Sequence, residues 1–394
     1  MFLSKRIGKI KASATLAITA QAKAMKAKGI DVVGFGAGEP DFDTPEHIKQ
    51  EAKRALDAGF TKYTPVSGIA ELKEAISRKL NNDNNLKYAA DEILISCGAK
   101  HSIFNLILAL CDDSDEIILP SPFWLSYPEM IKASGAKAKI IQTTKENNFK
   151  ITPAQLRKAI NPKTKLLILN SPSNPTGMVY AKQELREIAE VLTKANVFCL
   201  SDEIYEKIIY DNKEHVSIAA LGEKVKKLTI VINGVSKAYS MTGWRIGYAA
   251  GAKEIIQAMN NLQSHSTSGA TSIAQKAAVV ALSGPQNQVK EMLKEFQKRR
   301  NYIVERLNKI KGISCLNPEG AFYVFADISR ILGKSYKGQK IKDSFSLTKI
   351  LLAEAKIAVV PGAVFGADNY LRFSYAISYE TIKKGLDRLQ SFAA

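Results

Sequence analysis

The chain has 394 residues, of which 46% are hydrophobic and 24% are charged, and its formal net charge is +18. This composition is not that of a disordered or fibrous protein, and since no run of about 18 apolar residues is present we do not expect a membrane-spanning one. The lysines are interleaved with glutamates on helix-like segments without a nucleic-acid-binding motif, so we expect no nucleic acid as a partner, while small anionic substrates are compatible with the charge.

The first thirty residues contain no acidic residue and form a basic, amphipathic stretch. Transit peptides have this character, but a Gly-Ile-Asp turn at 29–31 leads directly into a strand-like run. We therefore favour a structured amino-terminal arm and helix, with no secretory signal. The four cysteines are far apart and form no C-x-x-C motif, which favours reduced thiols in a cytoplasmic protein.

From Asp91 to Ala250, strand-like runs alternate with helix-like ones. This alternation predicts an α/β fold with a mostly parallel sheet between helices. Most of the runs are apolar throughout, as strands buried on both faces are. The seven strand-like runs are EILIS, EIILP, AKIIQ, KLLILN, VFCLS, LTIVIN and IGYAA.

After Ile255 the pattern changes to long helical segments followed by the short strand-like runs GAFYVFADI, IAVVPG and YLRFSYA. This pattern indicates a second, smaller α+β domain, which the amino-terminal segment joins. The predicted limits are 42–290 for the large domain, and 1–41 with 291–394 for the small domain.

Polar residues follow several of the predicted strands, at the edge where ligands bind in open α/β sheets. KLLILN is followed by SPSNPTG, VFCLS by DEIY, and LTIVIN by GVSKAYSMTGWR. The turn Gly98-Ala99-Lys100 opens a helix and offers unpaired N–H groups and a positive dipole end to a phosphate. Taken alone, this turn is better explained as an ordinary strand-to-helix connection with a solvated lysine, and only its context favours a phosphate site.

Two other kinds of site are poorly supported. The glycines at 34, 36 and 38 resemble a dinucleotide fingerprint, but Glu39 occupies the place of the third glycine and a proline follows. The four histidines show no metal-ligand spacing, so we expect no zinc site.

Three segments, SPSNPTG (171–177), SDEIYE (201–206) and SKAYSMTGWRIGY (236–248), resemble those of fold-type I pyridoxal-phosphate aminotransferases of class I. The likeness continues through AGEPDFDTP, KYTPVSG, SPFWLSYPEM and LRFSYA, in family order and over nearly the whole chain. Within that family the chain is most similar to the bacterial aspartate aminotransferase branch with a GAK-type turn. The resemblance implies the fold-type I structure, pyridoxal 5'-phosphate as cofactor, and a homodimer with active sites shared across the interface.

The resemblance also assigns cofactor-binding roles. Lys237 would carry the cofactor as an imine, which requires a primary amine. Asp202 would pair with the pyridine nitrogen, and Tyr205 and Asn174 with the phenolic oxygen. The ring face would stack on Trp124. The phosphate would be held by the 98–100 turn (Gly98, Ala99, Lys100), by Ser236 and Arg245, and by Tyr63 donated from the other subunit.

For the substrate, the resemblance assigns the α-carboxylate to Arg372, assisted by Asn174 and the backbone of Gly38, with Trp124 beside it. Lys100 would read a distal carboxylate, with Ser13 and Thr15 on the mobile amino-terminal segment closing over it. Two departures concern the animal-type branch: its phosphate-binding serine is replaced by Gly234, for which Ser236 would partly substitute, and its arginine for the distal carboxylate has no counterpart.

The implied activity is a ping-pong transfer of the amino group of aspartate to 2-oxoglutarate, giving oxaloacetate and glutamate. The alternatives are an aminotransferase for prephenate or another amino acid, and a pyridoxal-phosphate lyase, because a shared scaffold does not fix the reaction. A non-catalytic basic binding protein is a further alternative of another class, and it predicts salt-sensitive nucleic-acid binding.

Overall fold

The structure is a computed structural model that describes residues 4 and 7–393. In these residues the α-helices are α1 (Ala14–Ala27), α2 (Glu46–Asp57), α3 (Ala70–Asn84), α4 (Ala99–Leu110), α5 (Ser126–Ser134), α6 (Pro153–Ala159), α7 (Lys182–Ala195), α8 (Glu223–Leu228), α9 (Lys253–Ser264), α10 (Ser272–Ser283), α11 (Asn287–Asn308), α12 (Ser344–Ile350) and α13 (Tyr379–Ala393).

The strands of the same residues are β1 (Val33–Gly34), β2 (Ile93–Ser96), β3 (Glu116–Ser121), β4 (Lys137–Gln142), β5 (Thr164–Asn170), β6 (Phe198–Asp202), β7 (Thr229–Gly234), β8 (Gly247–Ala250), β9 (Ser314–Cys315), β10 (Tyr323–Asp327), β11 (Ser335–Tyr336), β12 (Gln339–Lys340), β13 (Ile357–Ala358), β14 (Val360–Pro361) and β15 (Tyr370–Ser374).

The central sheet has seven strands in the order β2-β8-β7-β6-β5-β3-β4. Strand β8 runs antiparallel to β2 and β7, and the other adjacent strands are parallel to each other. Each of the seven predicted runs supplies one strand, so the predicted mostly parallel sheet is confirmed. At the edge strand β4 the residues from Ala138 onward alternate between exposed and half-buried, whereas the other edge strand, β2, is buried at all four residues.

Helices cover both faces of this sheet, which explains why its inner strands are apolar throughout. In β5, Leu166 and Ile168 belong to the core beneath α4, α5 and α9, whereas Leu167 and Leu169 belong to the core beneath α6, α7 and α8. Successive side chains of a strand point to opposite faces, so both sets must be apolar.

A second, antiparallel sheet has the order β14-β15-β10-β9 and lies in the carboxyl-terminal part of the chain. The amino-terminal segment joins this part through β1, which pairs with β13 in parallel. Helix α11 continues without a break through residue 290, which is the predicted end of the large domain. The exact limits, 42–290 and the remainder, stay a proposal.

The expected amino-terminal helix is present as α1. The Ser13 side chain caps it by accepting a hydrogen bond from the backbone N–H of Leu16, and Ala22 packs into a small core with Val32 and Leu352. Residues 1–3, 5 and 6 of the predicted arm lie outside the described residues. In the part of the chain that the structure covers, no helix combines the length and apolarity needed to cross a bilayer, and all four cysteines are free.

Candidate active site

A cavity of about 570 Å³ opens beyond the carboxyl ends of the central strands. Asn170 and Asp202, which end β5 and β6, are register partners at this edge. Most of the side chains predicted for the site line the cavity: Thr15, Gly38, Ala99, Lys100, Trp124, Asn174, Asp202, Tyr205, Ser236, Lys237, Arg245 and Arg372. The sheet therefore brings together residues that are up to several hundred positions apart in the sequence.

Lys237 is the buried amine of the cavity. It follows the end of β7, and its Nζ donates a hydrogen bond of 2.6 Å to the carbonyl oxygen of Gly38. Burial lowers the pKa of Lys237 to about 8, an effect that Glu39 opposes and Arg245 and Arg372 assist. The amine is thus closer to its nucleophilic, neutral form at physiological pH than an exposed lysine is.

Asp202 is a buried carboxylate held from two sides. The hydroxyl of Tyr127 donates to its Oδ2 at 2.6 Å, and the backbone N–H of Ile204 donates to its Oδ1 at 3.2 Å. Burial raises the pKa of Asp202 to about 6, although both of these hydrogen bonds oppose the rise. Such a carboxylate is best stabilised by a cationic partner in the cavity, such as a protonated ring nitrogen.

Tyr127 was missed as a site residue, although it lies within the quoted segment SPFWLSYPEM. It contacts Trp124 edge to face, with ring centroids 5.3 Å apart. The signal that could have found it is its spacing: Tyr127 comes three residues after Trp124, and its backbone N–H donates to the carbonyl oxygen of Trp124 in the turn that leads into α5.

Tyr205 makes a hydrogen bond of 2.8 Å to the hydroxyl of Tyr323, which is a second residue that the sequence did not predict. Burial raises the pKa of both phenols, so both are protonated at neutral pH. Tyr323 opens β10 of the second sheet and lines the same cavity.

Arg372 is a fully buried cation on β15. Its Nη1 donates to Oδ1 of Asn174 at 2.9 Å and its Nη2 to the carbonyl of Gly36 at 2.8 Å, while Nε has no hydrogen-bond partner in the described chain. The guanidinium lies over the ring of Tyr323, 4.4 Å from the centroid. Among the described residues no carboxylate forms an ion pair with Arg372, so the cavity supplies a positive charge that suits an incoming carboxylate.

The turn before α4 and the Arg245 side chain form an anion-binding cradle. Gly98 has a φ of +89°, and a Cβ at this position would lie 2.4 Å from Nη2 of Arg245. Glycine is therefore required for the guanidinium to approach the first backbone N–H groups of the helix, at Ala99 and Lys100. The guanidinium thus lies beside the positive end of α4, where it donates to the carbonyl oxygens of Thr242 and Cys97.

Gly234 has a structural reason to replace serine. A Cβ there would lie 2.8 Å from the carbonyl oxygen of Ile246, so the close approach of β7 to the chain entering β8 leaves no room for a side chain. Ser236, two residues later, lines the cavity instead.

Three predicted residues do not line the cavity. Gly98 is the N-cap residue of α4, immediately before Ala99. Ser13 forms a 3.0 Å hydrogen bond with Thr15, which does line the cavity. Tyr63 is 99% exposed, away from the cavity of its own chain.

Lys100 lies beside Trp124, with Nζ 4.8 Å from the ring centroid. Burial, with a smaller contribution from Arg245, lowers the pKa of Lys100. Both residues line the cavity, as do the apolar residues Leu16, Ile103 and Leu125.

A cluster of metal-ligand type lies behind the site, where Glu203, Glu206 and His215 bring ligand atoms within 4.8 Å of one another. The ammonium of Lys79 is already paired with Glu206, and it lowers the pKa of that carboxyl to about 2 against the opposing effect of burial. His215 Nε2 lies 3.0 Å from Glu203. We interpret the cluster as a buried ion-pair network; the expected absence of a metal stays a prediction.

Residues 30–389 match the family model described as aminotransferase class I and II. The aspartate aminotransferase of Bacillus subtilis is 48% identical over 392 residues, covering 100% of this chain and 99% of the relative. The aspartate/prephenate aminotransferase of Cereibacter sphaeroides is 47% identical over 395 residues, with 100% and 99% covered.

Two solved structures are similar over the whole chain. The crystal structure of the aspartate aminotransferase from Rhizobium meliloti has a TM-score of 0.96 at 44% identity and covers 100% of this chain and 99% of that one. The aspartate aminotransferase from Thermus thermophilus with maleate has a TM-score of 0.93 at 41% identity, with both chains covered completely.

Proposed function

This chain belongs to the class I and II aminotransferases, and we propose that it moves the amino group of aspartate to 2-oxoglutarate, giving oxaloacetate and glutamate. The observation that carries the proposal is the pairing, in one cavity, of a buried amine at Lys237 with a buried arginine at Arg372 that has no carboxylate partner in the described chain. The amine suits carbonyl chemistry, and the arginine suits the α-carboxylate that every amino-acid and keto-acid substrate shares.

The donor set fits pyridoxal 5'-phosphate, on which the family depends. We propose that Arg245 and the N–H groups at Ala99 and Lys100 hold the phosphate, aided by Ser236. Asp202 is suited to the ring nitrogen, Tyr205 and Asn174 to the phenolic oxygen, and Trp124 to the ring face. When bound, this group supplies an electron sink for the negative charge that develops at the substrate Cα.

The residues of the chain then position the substrate and move protons. Arg372 and Asn174, which are already hydrogen-bonded to each other, orient the α-carboxylate, and the carbonyl of Gly38 holds the Lys237 amine nearby. Lys237 would act as a positioned general base that takes the proton from the substrate Cα. It would then act as a general acid that returns this proton to the bound cofactor. The second half of the ping-pong reaction runs the same steps in reverse with the other keto acid.

Aspartate and glutamate carry a second carboxylate, for which we propose Lys100 as the binding cation. Lys100 lines the cavity, and so does Thr15 on the amino-terminal segment, which is hydrogen-bonded to Ser13. The apolar residues Leu16, Ile103 and Leu125 in the lining support a second candidate substrate, prephenate, which carries an unsaturated ring and is named for several relatives.

We propose a homodimer in which Tyr63 of each subunit completes the phosphate site of the other. Its 99% exposure in the single chain supports this role, because the whole side chain is available to a second subunit. A cytoplasmic location, expected from the free thiols, stays a prediction.

A substrate panel tests the proposed function. The purified protein, loaded with pyridoxal phosphate, is assayed with aspartate, glutamate, prephenate and a cysteine conjugate, and both keto-acid and ammonia release are measured. We expect keto acid from aspartate with 2-oxoglutarate as acceptor. Ammonia or pyruvate release without an acceptor would instead identify a lyase, and a protein without a yellow chromophore would refute the cofactor assignment.

A further inference from the structure

Tyr323 joins the two sheets at the centre of the site. It opens β10, next to β15 in the second sheet, where its register partner is Ser374. Its side chain is 1% exposed, and its hydroxyl reaches across to Tyr205, which follows β6 of the central sheet. The two tyrosines are 118 positions apart.

Three groups with assigned roles surround this one side chain. Its oxygen lies 2.8 Å from the oxygen of Tyr205, and its ring lies under the guanidinium of Arg372, 4.4 Å from the carbon atom of that group. The same oxygen faces Gly38, where a Cβ would lie only 2.9 Å away. Gly38 in turn accepts the hydrogen bond from Lys237.

The number of protons on the two phenols decides which hydroxyl donates. Each phenol has one proton, and both stay protonated because burial raises both pKa values. In the proposed function Tyr205, whose ring centroid lies 5.9 Å from the Lys237 amine, donates its proton to the cofactor's phenolic oxygen. The hydrogen bond between the two phenols is then donated by Tyr323 and accepted by Tyr205.

A hydroxyl that accepts a hydrogen bond becomes a stronger donor itself. We propose that Tyr323 is a positioning residue: its hydroxyl strengthens the hydrogen bond that Tyr205 gives to the cofactor, and its ring face holds Arg372 in place for the substrate carboxylate. The inference rests on the proposed function. It makes one residue of the second sheet the link between cofactor and substrate binding.

Four charged groups face this pair from the packed elements: Arg372 on β15, Asp202 at the end of β6, Lys237 after β7, and Glu39 in the amino-terminal segment. None of them is removed by deleting the Tyr323 hydroxyl. Tyr323→Phe keeps the ring over which Arg372 lies, and so it isolates the hydrogen bond.

The first test follows the visible absorbance of bound pyridoxal phosphate as a function of pH. A weaker hydrogen bond to the phenolic oxygen destabilises the deprotonated chromophore, so Tyr323→Phe should raise the midpoint pH by roughly one unit. Tyr205→Phe should raise it further, and adding Tyr323→Phe to Tyr205→Phe should change nothing more. Tyr370→Phe is the matched control, since Tyr370 is buried and stacked on Phe325, outside the Tyr323–Tyr205 bond.

An unchanged midpoint in Tyr323→Phe, or an equal shift in the Tyr205→Phe background, would overturn the proposed action through Tyr205. The ring is tested separately by Tyr323→Leu, for which we expect the KM of both amino-acid substrates to rise roughly tenfold, with little change in Tyr323→Phe. Equal KM values for the two variants would overturn the role of the ring face.

The third readout uses the protein without cofactor. Urea unfolding of the single variants and of the double variant Tyr205→Phe/Tyr323→Phe should give losses that are smaller together than the sum of the two, because both variants break one hydrogen bond. If the losses in free energy of unfolding are additive while pyridoxal phosphate binds with normal affinity, the inference is overturned and the proposed function is not. A wild-type chain that takes up no pyridoxal phosphate overturns the proposed function first.

Discussion

Tyr127 donates a hydrogen bond of 2.6 Å to Asp202 from α5, a helix 75 positions away along the chain. The backbone N–H of Ile204 holds the other carboxylate oxygen. The carboxylate is thereby fixed in orientation while it lines the cavity, and Tyr127 partly offsets the cost of burying its negative charge.

Tyr127→Phe should therefore weaken the enzyme without unfolding it. Loss of a hydrogen bond to a charged group changes a binding or rate constant roughly 10- to 100-fold. We therefore expect kcat/KM to fall by that factor at neutral pH. Because the bond lowers the pKa of Asp202, its loss lets the carboxyl protonate at higher pH, and the defect should grow as the pH falls toward about 6. The pH dependence of kcat/KM measures this.

Tyr180→Phe is the matched control, since Tyr180 is also a buried phenol but accepts a hydrogen bond from the backbone of Ile151, away from the cavity. A defect in Tyr127→Phe that does not vary with pH, or an equal defect in the control, would show that the hydroxyl serves packing only.

Asp202→Asn should stabilise the protein without cofactor while destroying its function. Burial raises the pKa of Asp202 from 3.8 to about 6, so the folded chain binds this proton more readily than the unfolded chain does. The ionised carboxyl therefore destabilises the fold, and the penalty develops as the pH rises from about 4 and is complete above about 6. It amounts to roughly 3 kcal/mol.

Urea unfolding of the cofactor-free protein at about pH 4 and about pH 8 measures this. The asparagine variant should match the wild type at the lower pH and exceed its free energy of unfolding at the higher one. A variant that is less stable than the wild type at both pH values would mean that partners within the protein already stabilise the negative charge of Asp202. A cationic ligand would then not be needed to stabilise it.

The fold and most of the cavity-lining residues could be predicted from the sequence, because both give rise to local sequence patterns. Runs such as KLLILN are apolar at every position since Leu166 and Leu167 face different helix layers, and a polar residue after each strand marks the edge. Tyr127 and Tyr323 were missed because their partners lie 75 and 118 positions away. The spacing of residues along the chain does not indicate which phenol will hydrogen-bond to which distant partner.

The glycine at position 234 is a second feature that the sequence could not explain. From the sequence it is only a departure from the serine of the animal-type branch. In the fold a glycine is required there, because the carbonyl oxygen of Ile246 lies too close for a Cβ. Contacts between backbone segments of neighbouring strands have no signature in the residue types alone.

Gly98→Ala should weaken the binding of pyridoxal phosphate. The new Cβ would lie 2.4 Å from Nη2 of Arg245, so the guanidinium must move away from the helix end. We expect the dissociation constant to rise at least roughly tenfold, as for one lost charge-assisted hydrogen bond. Absorbance titration of the cofactor-free protein measures the constant.

The control is Gly222→Ala, because Gly222 is also the N-cap of a helix, with a φ of +146° and a ψ of +158° beside +89° and +156° at Gly98, but has open space where the Cβ would go. Both positions lie in a backbone region that is almost restricted to glycine, so the control should lose stability with unchanged cofactor affinity. Equal losses of affinity in the two variants would attribute the effect to strain alone.

Lys237→Ala should abolish the half-reaction. A positioned proton-transfer group contributes roughly 10²- to 10⁴-fold, and we expect at least that loss in single-turnover experiments with aspartate. Borohydride reduction of the wild-type holoprotein, followed by peptide mapping, should find the reduced adduct at Lys237, and the variant should yield none there. A normal half-reaction rate in the variant would remove this lysine from the mechanism.

The shared active site can be tested by mixing two defective chains. Tyr63→Leu keeps Lys237 but should bind the cofactor weakly, and Lys237→Ala keeps Tyr63 but lacks the reactive amine. If Tyr63 acts across the interface, a hybrid dimer contains one site with both native residues, in which Lys237 comes from one chain and Tyr63 from the other.

Random reassociation makes about half of the dimers hybrid, so the mixture should recover roughly a quarter of wild-type activity at a cofactor concentration that leaves the Tyr63→Leu dimer empty. Native mass spectrometry verifies that hybrids form. If Tyr63 acted within its own chain, every hybrid site would lack one of the two residues, and no activity would return. Recovery therefore requires that the side chain, 99% exposed in one chain, completes the cavity of another.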